Sequence, residues 1–298
     1  MRMVAVPSPA TTTPSRCDRL VAADGIALAL ECHGEPADPT LVFAHGFGQT
    51  RHAWSASAAA LAAQGWHCIT ADARGHGDSG WRDDGAYEFA QFVDDLVRVA
   101  RRARTPPILV GASMGGLLGL IAQAEHAAFR ALVLVDITPR WEPAGIARIL
   151  GFMRAHPQGF ATLDEAAAAI RHYLPHRAAT KSPERLRKML VRGEDGRLRW
   201  HWDPRLLERI AADGERQQEH LREAARRIRV PTLLISGEQS DIVSNSTIAE
   251  FQHCVPHARH VCVARATHMI VGDRNDAFTA AVRDFIQPLR NAAAHTVQ

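Results

Sequence analysis

A serine between glycines is the first feature of this sequence that points to chemistry. Residues 111–115 read GASMG, a G-x-S-x-G pattern that directly follows the apolar run 108–110 and precedes a helix-like segment of small residues. A tight strand-to-helix turn here would hold the hydroxyl of Ser113 clear of a sheet, and the glycines would let neighbouring backbone approach closely. Ser113 is therefore a candidate nucleophile, and the alternative is an ordinary glycine-rich packing turn.

A serine hydroxyl needs a base that removes its proton, and a histidine held by a carboxylate is such a base. Of the sixteen histidines, His268 is the one that lies after the last predicted strand with a helix candidate behind it. Two aspartates follow predicted strands and could hold its ring: Asp241 in the loop 237–241, and Asp136 after the run 131–135. We expect Asp241 to be the acid and keep Asp136 as the alternative. The order Ser113, Asp241, His268 matches that of hydrolases with this type of serine turn.

The tetrahedral intermediate of such a reaction needs hydrogen-bond donors for its oxyanion. We expect one donor to be the backbone N–H of Met114, next to the nucleophile. The second donor is expected from the loop 45–48, which reads HGFG, at the backbone N–H of Phe47. For His45, in the same loop, hydrogen bonding to loop backbone is expected rather than proton transfer.

The elements that must position these residues follow an alternating pattern of short apolar runs and longer amphipathic stretches. This pattern is typical of a mostly parallel sheet with helices on both faces. Runs such as LVFA and ALVLV lack polar alternation, as expected of strands buried on both sides. We predict eight strands, which are residues 20–22, 26–32, 41–44, 67–71, 108–111, 131–135, 232–236 and 260–263.

The alternating pattern stops between the sixth and seventh predicted strands. Residues 138–229 are rich in Ala, Arg, Leu and His, are punctuated by prolines, and show no convincing buried strand. We predict a helical cap at 138–229, inserted into an α/β core formed by residues 18–137 and 230–290. Four aromatic residues are candidates for the wall of a substrate pocket: Trp54 in the core, and Trp141, Phe152 and Trp200 in the cap.

Bulk properties exclude several classes of function. The 35 basic and 32 acidic residues are spread along the chain, so no nucleic-acid surface is expected. The five cysteines are widely spaced and form no zinc pattern, which predicts no metal and a reduced, cytoplasmic compartment. No run is long and apolar enough for a membrane span. Residues 1–17 and 291–298 are expected to be a disordered arm and a flexible tail.

Five motifs together resemble the α/β-hydrolase superfamily across residues 20–287: HGFG at 45–48, DARGHGDS at 72–79, GASMGG at 111–116, GEQSDIVS at 237–244 and THMIVGDRND at 267–276. The resemblance implies a hydrolytic core, a helical cap after the sixth strand, and the triad proposed above. It also implies a structural rather than catalytic role for the loop 72–79, including His76 and Asp78. Superfamily members that open epoxides or remove halogens use aspartate where this chain has Ser113, so those reactions are disfavoured.

We therefore expect a hydrolase that cleaves a small, apolar carboxylic ester or lactone through an acyl-enzyme, without a cofactor. The same triad would also serve thioester hydrolysis, cofactor-free perhydrolysis or cleavage of an activated carbon–carbon bond. A small-molecule receptor with slow turnover is an alternative of a different class. The sequence leaves the oligomeric state open.

Overall fold

The computed structural model describes residues 15–174, 186–273 and 275–292. Most of the predicted N-terminal arm and the last six residues of the predicted tail lie outside these ranges. Residues 16 and 17, which were assigned to the arm, instead begin the first strand, and residues 291 and 292 end the last helix.

The core is an eight-stranded sheet. Its strands are β1 Arg16–Val21, β2 Ala27–His33, β3 Thr40–Ala44, β4 His67–Ala71, β5 Ile108–Ala112, β6 Ala131–Val135, β9 Thr232–Gly237 and β10 Arg259–Val263, while β7 Leu190–Arg192 and β8 Leu198–Trp200 lie outside this sheet. The order across the sheet is β1-β2-β4-β3-β5-β6-β9-β10. The strands β1 and β2 are antiparallel to each other, β2 is antiparallel to β4, and every other pair is parallel. The predicted mostly parallel α/β sheet is confirmed.

Helices cover both faces of this sheet. Alternate residues of one strand enter different cores: Leu109 of β5 packs with one helix layer, whereas Ile108 and Val110 pack with the other. This period of two, with apolar residues on both sides, explains why the strands show no polar alternation. The helices are α1 Ser55–Ala62, α2 Phe89–Ala100, α3 Met114–His126, α4 Pro143–Arg154, α5 Leu163–Tyr173, α6 Leu206–Arg227, α7 Asn245–Cys254, α8 Ile270–Asp273 and α9 Asn275–Ala292.

The segment between β6 and β9, which we call the cap (residues 138–229), differs from its prediction in two respects. It contains an antiparallel hairpin, β7 Leu190–Arg192 and β8 Leu198–Trp200. Three-residue strands are too short to stand out from a background rich in Ala and Arg. The helix α6 is also long, at 22 residues, and its C-terminal half packs on α3 through buried residues that include Leu221 and Ala224.

The cap has its own apolar core, which includes Phe160, Trp200 and Trp202. Trp200 and Trp202 stack with ring centroids 5.2 Å apart, and Phe160 meets Trp200 edge-on. Among the described residues, no helix has the length and apolar character needed to cross a membrane.

Candidate active site

Ser113 occupies the turn between β5 and α3 in a backbone conformation that side chains rarely adopt, with φ 47° and ψ −118°. Its backbone N–H donates to Val135 O at 3.0 Å, which anchors the turn to β6. A Cβ on Gly111 would lie 2.6 Å from Gly115 O, and one on Gly115 would overlap with the carbonyl of Ala44. The glycines of the motif are therefore required by close backbone packing.

His268 lies after β10, at the same edge of the sheet as Ser113. Its Nδ1 is 2.7 Å from Oδ2 of Asp136, the residue directly after β6. Because an ionised carboxylate only accepts hydrogen bonds, Nδ1 of His268 is the protonated nitrogen and Nε2 is left as an acceptor. This tautomer is the one that a general base for a serine hydroxyl requires.

The carboxylate of Asp136 is fully buried and accepts three hydrogen bonds. Besides His268, the donors are the backbone N–H of Gly237, at 2.8 Å from Oδ1, and the hydroxyl of Ser240. The oxygen of Ser240 also accepts from the N–H groups of Ile242 and Val243, so its own proton is directed at Asp136. These three donors hold the carboxylate in one orientation.

The expected partner of His268, Asp241, lies elsewhere, and the choice between the two aspartates is corrected. Its Oδ2 accepts from Nε of Arg148 in α4 at 2.6 Å, and its side chain is 31% exposed. The backbone of Asp241 packs so closely on Gly145 that no side chain would fit at position 145. The loop after β9 therefore faces the cap through Asp241, and reaches the histidine only indirectly, through Ser240.

The loop after β3 lies against Ser113, because a Cβ on Gly46 would be 3.2 Å from Cβ of the serine. Within the described part of the chain, the N–H of Phe47 has no hydrogen-bond acceptor. Met114 is the first residue of α3, so its N–H has no partner one turn earlier in the helix. Both predicted oxyanion donors are thus N–H groups beside the serine that have no acceptor among the residues described.

Two buried histidines hold this loop. Nε2 of His45 accepts from Ala73 N at 2.9 Å, and Nε2 of His76 accepts from Gly48 N at 3.2 Å. Their Nδ1 atoms lie 2.8 Å and 3.0 Å from backbone carbonyl oxygens, to which they donate. Burial lowers the pKa of His45, and lowers the pKa of His76 well below its usual range. Both rings are therefore neutral and structural.

The loop 72–79 is held by an ion-pair network that sequence reasoning missed. The guanidinium of Arg51, which is buried, contacts the carboxylates of Asp72 and Asp78. Asp72 also accepts from the backbone N–H groups of Arg51 and Asp78, at 2.6 and 2.9 Å. The sequence offers no local signal for this pairing, because Arg51 lies more than twenty positions before the motif it stabilises.

The family model described as "Serine aminopeptidase, S33" matches residues 35–275 of this chain. The chain belongs to the α/β-hydrolase superfamily. It is 33% identical over 251 residues to the 3-hydroxybutyrate-oligomer hydrolase of Cupriavidus necator, covering 76% of this chain and 81% of that protein. An esterase of Mycobacterium tuberculosis is 28% identical over 257 residues, which is 82% of each chain.

Solved structures show the same fold. The crystal structure of an E-2-(acetamidomethylene)succinate hydrolase superposes with a TM-score of 0.81 at 25% identity, and covers 92% of this chain and all of its own. This α/β-hydrolase is therefore similar along most of its length to enzymes that are named as hydrolases and esterases.

A cavity of about 940 Å³ lies in this hydrolase between the core and the cap, at the upper end of the usual size for ligand pockets. Its lining includes the predicted site residues Phe47, Ser113, Met114, Trp141, Phe152, Trp200 and His268. In the wall, the rings of Phe152 and Tyr173 stack with centroids 4.3 Å apart.

Trp54, the remaining pocket candidate, does not line the cavity. It is fully buried, with its ring 5.4 Å from that of Phe43 in β3 and 5.7 Å from that of Phe278 in α9. Its neighbours Ala53 and Ser55 reach the cavity instead. Across the ranges that the structure describes, no cluster of three or more His, Cys, Asp or Glu side chains could hold a metal ion.

Proposed function

We propose that this hydrolase cleaves carboxylic esters of small molecules through an acyl-enzyme on Ser113. His268 acts as the base, and Asp136 holds its ring. The observation that supports this most directly is the contact of 2.7 Å between His268 Nδ1 and Asp136 Oδ2, at the edge of a cavity that Ser113 also lines. The names of the relatives, an oligomer hydrolase and an esterase, are consistent with this chemistry.

In the first half-reaction, Nε2 of His268 takes the proton of the Ser113 hydroxyl as its oxygen attacks the ester carbonyl. The imidazolium that forms is stabilised by Asp136, which lies within hydrogen-bond distance and is buried, so that the charge pair is weakly screened. His268 then gives the proton to the leaving alcohol. In the second half-reaction the same ring activates a water molecule, which releases the acid.

The negative charge on the carbonyl oxygen develops beside the N–H groups of Phe47 and Met114. Because these groups have no hydrogen-bond acceptor among the residues that the structure describes, they are available without breaking another bond. Each such donor contributes about a hundredfold to a thousandfold in rate. Since both are backbone groups, the shape of the loop at 45–48 sets their position, and the neutral rings of His45 and His76 fix that shape.

The proposal is tested with p-nitrophenyl butyrate and a fluorophosphonate probe. We expect Ser113→Ala to lower kcat by about four to six orders of magnitude and to abolish labelling. Ser246→Ala, which removes an exposed hydroxyl on α7, is the matched control and should keep both. Labelling of the native protein at another residue, or undiminished hydrolysis by Ser113→Ala, would contradict the proposal.

A panel of substrates then distinguishes between the reactions that the same triad could catalyse. The oxygen ester and thioester of the same acid, a peracid assay and a vinylogous diketone would be compared at equal concentration. The proposal predicts the highest kcat/KM for the oxygen ester. A higher value for any other donor would replace ester hydrolysis by that reaction while leaving the triad in place.

A further inference from the structure

The cavity enters both helix layers of the core, on opposite sides of Ser113. On the side of α2, α3 and α6 its lining is dominated by apolar side chains, which we call the apolar arm: Phe89, Phe92, Leu117, Leu118, Leu206 and Leu221. The helix α6 also contributes two amides, Gln217 and Gln218. On the side of α1, α8 and α9 the lining carries hydrogen-bonding groups, which we call the polar arm: Gln49, Thr50, His52, Ser55 and Asn275.

Gln49 is the polar group that the structure places beside the nucleophile. A Cβ on Gly46 would lie 3.2 Å from Cβ of Ser113 and 3.8 Å from the amide carbon of Gln49, so the two side chains flank the same glycine. The amide nitrogen of Gln49 is 3.2 Å from the sulfur of Met269, which is a weak acceptor. The amide therefore keeps most of its hydrogen-bonding capacity for a ligand.

Thr50, the next residue, has a hydroxyl that is available for a ligand. The residue is only 7% exposed and lines the cavity, yet its Oγ1 bonds to none of the residues that the structure describes. Burial and the charge of Arg51 lower the pKa of His52, which favours its neutral form. Gln49 and Thr50 thus give the polar arm uncharged donors and acceptors, and Gln49 lies beside Ser113. The charged side chain that acts on His52 from the cavity lining is Lys188.

The proton transfer from His268 to the leaving oxygen indicates which part of the ester lies in which arm. His268 delivers the proton to the leaving oxygen, so the alcohol lies on the side of the imidazole. The residues that follow His268, from Met269 to Gly272, line the polar-arm side. Leu117 and Leu118 lie about one turn after Ser113 in α3, on the other side, where the acyl group stays after the alcohol has left.

We propose, resting on the proposed function, that the substrate is an ester of an apolar acid and a hydroxylated alcohol. The acyl chain lies in the apolar arm. A hydroxyl of the alcohol, on the second or third carbon from the ester oxygen, bonds to the amide of Gln49 and the hydroxyl of Thr50. These two side chains are thus specificity-determining residues for the leaving group.

The experiment compares two esters of one acid, 1-hexanoylglycerol and propyl hexanoate, which differ only in the hydroxyls of the alcohol. We expect the native enzyme to prefer the glycerol ester by about tenfold or more in kcat/KM, since each net hydrogen bond is worth a factor of a few up to about ten. Gln49→Met and Thr50→Val should each lower this ratio by about threefold to tenfold. The double variant should bring it to within about twofold of one.

The controls make the same chemical changes outside the cavity. Gln64→Met alters an exposed amide at the end of α1, and Thr70→Val removes a buried hydroxyl from β4. Both should keep the native ratio. Thr50→Ser, which restores a hydroxyl, should recover most of the preference that Thr50→Val loses, and this pair distinguishes a lost hydrogen bond from a misfolded protein.

The apolar arm is tested by filling it. Leu117→Trp should lower the ratio of kcat/KM for p-nitrophenyl octanoate over p-nitrophenyl acetate by about tenfold or more. Val191→Trp, at an exposed position of the cap hairpin outside the cavity, should leave the ratio unchanged. Narrowing the acyl site excludes long chains first, because short ones do not reach the new ring.

Failure of this inference differs from failure of the proposed function. If Ser113 is labelled and esters are cleaved, but the glycerol preference is absent or survives both substitutions, then only the assignment of the arms is wrong. If Ser113 is not labelled and neither ester is cleaved, both proposals are overturned.

Discussion

The loops that follow β6 and β9 each carry an aspartate at the catalytic edge of the sheet, and the two carboxylates have opposite surroundings. Asp136 is fully buried and holds the ring of His268, whereas Asp241 is about a third exposed and pairs with Arg148 of the cap. The β9 loop supports the first carboxylate through the hydroxyl of Ser240. One loop thus carries the contact to the histidine, and the other connects the site to the cap.

This comparison shows why a motif and an order of residues do not identify the acid. Ser113, Asp136, His268 and Ser113, Asp241, His268 have the same order along the chain. What distinguishes them is the contact of Asp241 with α4, where its backbone packs on Gly145 and its side chain pairs with Arg148. That contact is made by the cap, whose arrangement over the core is a tertiary property.

Neutralising each carboxylate in turn distinguishes the roles of Asp136 and Asp241. We expect Asp136→Asn to lower kcat/KM for p-nitrophenyl butyrate by about a thousandfold to ten-thousandfold, because an amide can stabilise the wrong tautomer of His268 and cannot stabilise its cation. Asp241→Asn should stay within about threefold of the native enzyme. Equal losses in the two variants would mean that both carboxylates serve the histidine.

Ser240 connects the two loops, so removing its hydroxyl should have an intermediate effect. Ser240→Ala deletes the donor to Asp136 and also leaves the N–H groups of Ile242 and Val243 without their acceptor. We expect kcat to fall by about tenfold while KM changes less than about threefold. A change in KM alone would indicate that the hydroxyl acts on the cap rather than on the carboxylate.

The buried histidine His76, at the same edge of the sheet, should make the free energy of unfolding depend on pH. Burial lowers the pKa of His76, and the neighbouring His45 and His201 lower it further. The unfolded chain therefore binds a proton near pH 6.5 more readily than the folded one. The free energy of unfolding should be at its full value above about pH 6.5 and decrease as the pH falls towards the folded pKa.

Urea unfolding at several pH values between 5 and 8 measures this dependence. His76→Gln, which keeps an acceptor for the N–H of Gly48 but does not titrate, should show a smaller decrease below about pH 6.5. His126→Gln, at an exposed site at the end of α3, should keep the native slope. An unchanged slope in His76→Gln would show that this ring is not held neutral by burial.

The smallest expected effect concerns the cap contact itself. Arg148 pairs with Asp241, and its guanidinium carbon lies 4.9 Å from the centre of the Tyr173 ring, which lines the cavity. Arg148→Met should raise KM a few-fold, leave kcat within about threefold, and cost at most about 1 kcal/mol of stability, because the pair is partly exposed. Arg98→Met, which removes a surface ion pair of α2, should leave KM unchanged.

Sequence patterns predicted the parts of this molecule that depend on local periodicity. Central strands such as β3, β5 and β6 appear as uninterrupted apolar runs. Ser113 follows β5 and His268 follows β10, so both lie at the carboxyl edge of the sheet. The partner of His268 and the burial of Trp54 depend on contacts between distant segments. The cap hairpin is local, but its three-residue strands are too short to give a periodic signal. The pairing of Arg51 with Asp72 also joins distant residues, and the sequence around Arg51 gives no signal for a buried ion pair.

The rate at which a fluorophosphonate labels Ser113 tests most directly whether the serine is activated through His268 and Asp136. Mass spectrometry of the intact protein and of its peptides gives this rate for the native enzyme, Asp136→Asn and Asp241→Asn under one set of conditions. We predict labelling confined to Ser113, at similar rates in the native enzyme and Asp241→Asn, and at least about a hundredfold slower in Asp136→Asn. Rapid labelling of Asp136→Asn, together with slow labelling of Asp241→Asn, would contradict the account.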